Sequence, residues 1–286
     1  MKLGHTIEDL REKYPELTEE LLLKLEEWIR QRNLSDIPIE QLAIFAHSCY
    51  FQTDATLRCM EAYYKIRTTF PEVFSNRDPK SESFQCSLKK LVEISRYRNI
   101  TALPVPEPNG YRIIFKQLKD TNPNKYKLGD ALKLLMMTVD ATLYTEGCEP
   151  GYIFLFDMTG VSFGHLSTIS ISSIRKFFQY IQDGIPFRLK GIYILNATWI
   201  LDKVLAIIRP FMKSEFFQLI HAYTGEVSEV YQHIPPKCLP KDFGGELDYV
   251  EVLSEENYHK LQQLRDYFLE EETVCQNYNA SQKKNK

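Results

Sequence analysis

The sequence predicts an α/β protein with an all-helical amino-terminal bundle, and three observations carry that expectation. Apolar residues in the first hundred positions recur at helical spacing. A proline-rich interruption, Leu103-Pro-Val-Pro-Glu-Pro-Asn-Gly110, follows. Beyond it short apolar runs alternate with longer amphipathic ones. Strands separated by helices imply a largely parallel sheet covered on both faces. The 286 residues divide accordingly into a helical domain over 1–100, a sheet domain over 101–250, and a carboxy-terminal helix with a polar tail over 251–286.

Each element has its own signal. Thr18 suits the N-cap of a helix that places Leu21, Leu25 and Trp28 on one face, with Leu22 and Ile29 alongside. Glu19 and Glu20 fall in its first turn, where the helix dipole favours acids. A second helix opens at Pro38 and runs through Leu42, Phe45 and Cys49. A third follows Thr53 through Leu57, Met60 and Tyr64 and stops at Phe70-Pro71, and a fourth centres on Phe84, Leu88, Leu91 and Ile94. The predicted strands are Tyr111–Phe115, Tyr152–Phe156 and Leu189–Leu195. The helices between and after them cover about Gly129–Tyr144, Ser170–Gln182 and Thr198–Lys213. YIFLF and GIYIL are apolar at consecutive positions, as expected of strands buried on both faces. The polar end NASQKKNK is expected to be disordered.

Composition removes several classes of function. With 35 Lys+Arg against 38 Asp+Glu and no basic block, the chain lacks the cations that sequence-indifferent nucleic-acid binding requires. Its 44% hydrophobic and 26% charged residues exclude disordered and fibrous classes. The start, MKLGHTIEDLREKYPELTEE, has no apolar h-region, and Gly4 is misplaced for myristoylation, so no export or lipid anchor is expected. Apolar runs such as Tyr152 to Phe156 fall far short of the roughly 20 residues that span a bilayer. The six cysteines, Cys49, Cys59, Cys86, Cys148, Cys238 and Cys275, form no CxxC pair, which fits reduced thiols in the cytoplasm. No GxxxxGK[ST], GxGxxG, HExxH or GxSxG motif occurs, and the six histidines have no metal-ligand spacing, so neither cofactor nor metal is expected. Asp157 ends a strand with Ser162 and His165 close behind, which admits a hydrolase reading. A loop anchor and cap is the simpler reading, and the chain is expected not to be an enzyme.

The distinctive feature is the segment TWILDKVLAIIRPFMK. It puts Leu201, Val204, Leu205, Ile208, Phe211 and Met212 on a broad apolar stripe and Asp202, Lys203 and Arg209 on the other side, with Pro210 near its end. Periodicity alone favours a helix packed on the sheet, and a lid over an apolar cavity is the sharper alternative. Just upstream, Arg188 and Lys190 alternate with apolar residues and so share one face of a strand, where two cations can hold a phosphate.

An ordered series of motifs resembles the CRAL-TRIO lipid-transfer family, most closely its alpha-tocopherol transfer protein branch and insect-type relatives. The series is Phe74-Ser-Asn-Arg-Asp-Pro79, Leu118-Lys-Asp-Thr-Asn-Pro123, Phe156-Asp-Met-Thr-Gly160, Pro186-Phe-Arg-Leu-Lys-Gly-Ile192 leading to Asn196, Pro210-Phe211, and Leu239-Pro-Lys-Asp-Phe-Gly-Gly245. The resemblance implies a small helical bundle followed by a mixed five-stranded sheet with flanking helices, in which the amphipathic stripe is a mobile gate. The implied ligand-binding positions are Leu134, Thr138, Tyr152, Phe154, Phe156, Phe163, Phe177, Tyr180, Ile181, Phe187, Leu189 and Ile192. A phosphoinositide-binding cleft is implied at Arg58, Arg188 and Lys190, although Glu215 and Leu219 replace two further bases of that cleft. Tyr223-Thr224 replaces a His-Gly, and Thr198 stands where the family has a proline before the gate. The implied function is cytosolic binding and intermembrane transfer of one hydrophobic molecule, such as a tocopherol, retinoid or carotenoid, by a monomer that associates transiently with anionic intracellular membranes. A lipid-responsive adaptor acting through a protein partner is the alternative.

Overall fold

The computed structural model describes residues 3–34, 37–82, 98–118 and 120–284. Thr18 caps the Glu19–Gln31 helix by accepting the Leu21 backbone N–H at 3.3 Å, and that helix buries Leu21, Leu22, Leu25, Trp28 and Ile29. Helices Ile39–Ser48 and Thr53–Thr69 follow, and Pro71 opens a single helical turn over Pro71–Phe74. The helix expected around Phe84, Leu88, Leu91 and Ile94 lies outside the described residues.

Five strands form one mixed sheet in sequence order: β1 (Arg98–Ala102), β2 (Arg112–Leu118), β3 (Tyr152–Asp157), β4 (Leu189–Leu195) and β5 (Ile220–Ala222). β1 runs antiparallel to β2, and every other neighbouring pair is parallel. The three predicted strands are present, with β2 extending to Leu118. β1 and β5 are edge strands too short and too polar to show a period, as RNITA and IHA illustrate.

Alternation along β3 and β4 sends side chains into two layers. Tyr152, Phe154, Ile192 and Ile194 face a layer built from the amino-terminal helices and the long Leu128–Glu146 helix. Ile153, Leu155, Tyr193 and Leu195 face the other layer. There the cover comes largely from Val230, Ile234, Cys238, Leu239 and Phe243, carried on short 3-10 helices and the loops between them. Val250 and Leu253 of the Val250–Gln263 helix complete that layer.

The carboxy-terminal tail departs from expectation. The backbone is helical over Arg265–Lys284, taking in residues 279–284 of the tail that reads as disordered. Val274, Cys275, Tyr278 and Ser281 recur at helical spacing and are buried. Tyr278 donates to Glu61 at 2.5 Å on the Thr53–Thr69 helix, so tertiary packing overrides the polar composition.

At the centre lies a buried ionic cluster. Arg67 donates to both oxygens of Asp140, at 2.8 and 2.6 Å, and to Glu271 at 2.9 Å. Arg77 pairs with the same two acids. Arg67 also donates to the Tyr180 hydroxyl, at 3.1 Å from Nε and 2.6 Å from Nη2, and lies over the Tyr63 ring at 4.0 Å. Two guanidinium and two carboxylate groups cancel in formal charge, which is what makes their burial tolerable. Removing one member strands the others: Asp140→Ala is expected to cost about 3–5 kcal/mol in urea unfolding. Glu20→Ala, which breaks only the exposed pair with Lys24, should leave the midpoint unchanged. Equal midpoints in the two variants would refute the central role of the cluster.

Candidate functional site: a roofed apolar cavity and an adjoining cationic cleft

A cavity of about 270 Å³ lies toward the carboxy-terminal ends of β2, β3 and β4, between the sheet and the Trp199–Ile208 helix. Sheet residues Phe154, Phe156, Ile192, Ile194 and Ile220 form its floor, and Leu201, Val204, Leu205, Ile208 and Met212 form its roof. Ile174, Phe177, Phe178 and Ile181 close one side. Tyr126, Leu128 and Leu132 with Val161, Leu166 and Ile169 close the other. Charged and amide residues are few in the lining: Lys116, whose ammonium lies 5.9 Å from the Phe156 ring centre, Gln117, Asp157 and His165. An apolar chamber with few polar groups in its lining can bury one hydrophobic molecule and orient a single polar group on it.

The roof is the predicted stripe. Its helix spans Trp199–Ile208 and continues as a 3-10 turn over Arg209–Phe211, because Pro210 has no N–H to extend an α-helix. Asp202, Lys203 and Arg209 are exposed, as the sequence pattern requires. Thr198 caps the helix with its hydroxyl, accepting the Ile200 N–H at 3.4 Å. Immediately before it, Asn196 takes a left-handed φ of 51° and donates its amide to Asp157 at 2.7 Å. The far end of the roof is latched. Gln182 donates to the Phe211 carbonyl at 2.8 Å and accepts the Lys213 N–H at 2.5 Å, while Lys213 pairs with Asp183 at 2.6 Å. Arg175 stacks over the Phe211 ring at 5.3 Å.

Asp157, Ser162 and His165 have structural contacts. Asp157 accepts from Asn196 and, within its own turn, from the Thr159 N–H and hydroxyl at 3.0 and 2.8 Å. Ser162 and His165 form a capping box, with Ser162 Oγ 2.9 Å from His165 Nδ1.

A second concavity, of about 670 Å³, adjoins the latch. It is lined by Cys49, Tyr50, Arg58 and Cys59 from the helical bundle and by Arg188, Lys213 and Glu215 from the sheet domain. Arg188 donates to the His47 carbonyl at 2.9 Å and lies over the Tyr50 ring at 4.0 Å, and Lys190 donates to the Tyr50 hydroxyl at 3.1 Å. Arg188 and Lys190 therefore share a face, as predicted, and bracket one exposed aromatic ring. Lys190 sits beside the cleft while Arg58 and Arg188 line it. Glu215 and Leu219 line the same wall.

Not every implied ligand position reaches the cavity. Leu134 and Thr138 turn into the core: Thr138 donates to the Leu134 carbonyl at 3.0 Å and accepts from Asn257 at 2.9 Å. Tyr152 packs on Phe187 with ring centres 4.5 Å apart, and the Tyr180 hydroxyl accepts from Arg67. Phe187 and Leu189 line the cationic cleft instead. Phe163 is 62% exposed, and Phe211 lies against Arg175 outside the lining. Several lining residues are not among the implied positions: Ile174 and Phe178, Tyr126, Leu128 and Leu132, Ile194 and Ile220, and Val161, Leu166 and Ile169. Ile194 follows Ile192 at strand spacing and was legible from alternation. Val161, Leu166 and Ile169 lie on a loop and a single turn, which have no period to read.

Beneath Arg188, His47 is buried against the Tyr14 ring at 4.6 Å. Burial, then the charges of Arg188, Lys13 and Lys190, bring its pKa down to about 3 from 6.5. A base whose folded pKa is depressed binds a proton more readily unfolded. Its contribution is complete above pH 6.5 and is lost as pH falls toward 3. Between pH 7 and pH 4.5 the thermal midpoint of His47→Phe should therefore fall less than that of the unmodified chain. Parallel declines would refute this assignment.

Comparison with known proteins agrees with this architecture. A CRAL/TRIO domain model matches residues 97–245, and a Pinta-like UBA domain model matches residues 14–84. Alpha-tocopherol transfer protein-like of Mus musculus is 27% identical over 225 residues, which cover 76% of this chain and 63% of that protein. The Homo sapiens protein of the same name is 26% identical, covering 70% and 56%. Clavesin-2 of Rattus norvegicus is 26% identical over 139 residues, 48% of this chain and 42% of the relative. The chain thus spans less than two thirds of the length of each of these relatives. The crystal structure of Sfh5 shares the fold with a TM-score of 0.54 at 14% identity, covering 82% of this chain and 81% of that one. With the matched domain spanning the whole sheet and its gate, the chain belongs to the CRAL/TRIO family of lipophilic ligand-binding and transfer proteins.

Proposed function

We propose that this protein is a carrier that encloses one small hydrophobic molecule, of tocopherol, retinoid or carotenoid type, and moves it between membranes by opening the gate helix. The observation that carries this reading is the apolar chamber roofed by Leu201, Val204, Leu205, Ile208 and Met212. Apolar area removed from water supplies roughly 25 cal/mol per Å², so a chamber of this lining holds a hydrocarbon body, while Lys116 and His165 in its lining suit one hydroxyl or carbonyl. The relatives whose names refer to tocopherol transfer support the same class of cargo.

The gate helix opens with Trp199, which is 62% exposed, an amphipathic ring of the kind that settles at a membrane interface. Docking on anionic intracellular membranes, phosphoinositides included, falls in this proposal to Arg58, Arg188 and Lys190. No helix among the described residues is long and apolar enough to cross a membrane. The test is native mass spectrometry of the purified protein, organic extraction of what it carries, and transfer of that lipid between vesicles. A stoichiometric lipid that transfers supports the carrier. A lipid retained without transfer, with a protein partner captured only in the loaded state, would move the function to a lipid-responsive adaptor. An empty protein inactive in transfer would overturn both.

Two substitutions read the mechanism. Gln182→Ala removes two hydrogen bonds at the end of the gate, each worth about 1 kcal/mol, and is expected to speed ligand release by about tenfold or more with little change in unfolding midpoint. Unchanged release would show that the latch does not limit opening. The double variant Arg188→Ala with Lys190→Ala is expected to lower binding to vesicles containing anionic lipid several-fold while leaving extraction of the bound lipid intact. Equal vesicle binding would remove the docking role from this face.

A further inference from the structure

Lys116 is the one lysine or arginine among the described residues that line the apolar chamber. β2 reads RIIFKQL, and alternation puts Ile114 and Lys116 on the face toward the chamber, while Ile113 and Phe115 turn to the opposite layer. A lysine on a sheet is stabilised by an acid directly across from it on a neighbouring strand. Here both cross-strand positions are apolar: Ile100 of β1 on one side and Phe156 of β3 on the other. Phe156 offers only its ring, whose centre lies 5.9 Å from the ammonium, at the outer limit of a cation–π contact.

The neighbouring carboxylates are engaged elsewhere. Asp157, which also lines the chamber, accepts three hydrogen bonds on Oδ1, from the Asn196 amide at 2.7 Å and from the Thr159 N–H and hydroxyl at 3.0 and 2.8 Å. Asp120, beyond the end of β2, pairs with Lys125 at 3.0 Å and accepts the Asn122 N–H at 2.8 Å. Among the described residues no acid forms an ion pair with Lys116. The residue is partly buried, so a ligand that fills the chamber takes water from its ammonium. A charge deprived of both water and partner is costly, and the cost is removed when the ligand itself brings one negative charge. An alcohol or a hydrocarbon brings none. A phosphate monoester brings about −1.5 to −2, more than one ammonium neutralises, and Asp157 in the same lining opposes the excess.

We propose that the chamber selects a hydrophobic molecule ending in a single carboxylate, and that Lys116 is the counter-ion that distinguishes this acid from the corresponding alcohol. The inference rests on the carrier reading above and names the cargo within it. The hydrocarbon body of the acid lies between the sheet at Phe154 and Phe156 and the roof at Leu201 and Leu205, and its carboxylate accepts a charge-assisted hydrogen bond from Lys116. Closing the apolar roof removes water from the pair and so strengthens it. A neutral cargo of the same shape leaves the ammonium unpaired, which is the form of mismatch that discriminates most strongly between analogues.

The test uses the full chain, with its native lipid extracted and identified and the delipidated protein refilled with one of three probes that share a hydrocarbon skeleton: all-trans-retinoic acid, all-trans-retinol and retinyl phosphate. Kd is read from quenching of tryptophan fluorescence. Retinoic acid is expected to bind about tenfold tighter than retinol, or more, and tighter than retinyl phosphate. Lys116→Met, which keeps an apolar stem, should remove the preference for the acid and leave retinol nearly unchanged, and Lys116→Arg should retain the preference. Lys203→Met, on the exposed side of the roof, should leave all three affinities as they are. Equal affinities for acid and alcohol, or a neutral native lipid, would overturn the proposal and leave the carrier reading standing. Tighter binding of the phosphate would overturn the single-charge assignment. A parallel loss of acid and alcohol in Lys116→Met would overturn it too, since lost packing alone gives that result. A chain that yields no lipid and binds none of the three would overturn the carrier reading and this one together.

Discussion

Arg67, Arg77, Asp140 and Glu271 bind together three stretches of chain that local structure alone would leave independent. The arginines come from the amino-terminal helix Thr53–Thr69 and the segment after it. Asp140 comes from the long helix of the sheet domain, and Glu271 from the carboxy-terminal helix. Four charges out of water are tolerable only as a complete set, because a missing member leaves an uncompensated charge in a medium where Coulomb interactions are strong. Burial of both acids and both bases at nearly zero exposure forces the three segments into one arrangement. The hydrophobic layer around them, with Tyr63, Phe74 and Phe268 against the guanidinium faces, is continuous across the segments.

That arrangement reaches the gate through Tyr180. Its hydroxyl accepts from Arg67, and the residue opens the π-helical turn Tyr180–Gly184, whose next side chains are Ile181, Gln182 and Asp183. Ile181 lines the apolar cavity, Gln182 holds the end of the roof, and Asp183 holds Lys213. A π turn offsets side chains from the positions an α-helix would give them, and such turns concentrate at functional sites. Here the offset lets one side chain of the turn face the cavity while two others latch the gate. The other end of the gate is fixed by Asn196 on Asp157 and by the Thr198 cap. A roof pinned at both ends over an apolar chamber is held shut by few polar contacts and by burial of Leu201 and Ile208.

The sequence showed the amphipathic roof helix clearly and the cavity only in part, for a physical reason. A stripe such as Leu201, Val204, Leu205, Ile208 is written in one continuous segment at helical period, and so is the two-sided burial of YIFLF. The cavity wall is assembled from separate segments, and loop residues such as Val161 and Ile169 have no periodic signature. Thr138 and Tyr180 illustrate the converse. A hydroxyl at an implied pocket position does not declare from sequence that its partner is Asn257 or Arg67, since those partners are over 100 residues away. The tail at Ser281 and the short edge strand β5 were misjudged or missed because their order comes from neighbours, not from their own composition.

Ile181 also borders the cationic cleft, so one side chain is a wall common to both concavities. Lys213 stands at the same junction: its N–H is held by Gln182, and its ammonium, half exposed, pairs with Asp183. A surface ion pair of this kind contributes little to stability and yields readily to a competing anion of higher charge. An anion entering beside Arg58 and Arg188 would draw the Lys213 ammonium away from Asp183 and load the two Gln182 bonds that close the roof. Glu215 on the same wall sets the limit on that exchange, because it opposes a polyanion through the same Coulomb interaction that Arg58 and Arg188 supply in attraction. In the proposed docking, coupling between cleft and chamber would depend less on the number of cations in the cleft than on Lys213, the one lining cation that also pairs with Asp183 and Gln182.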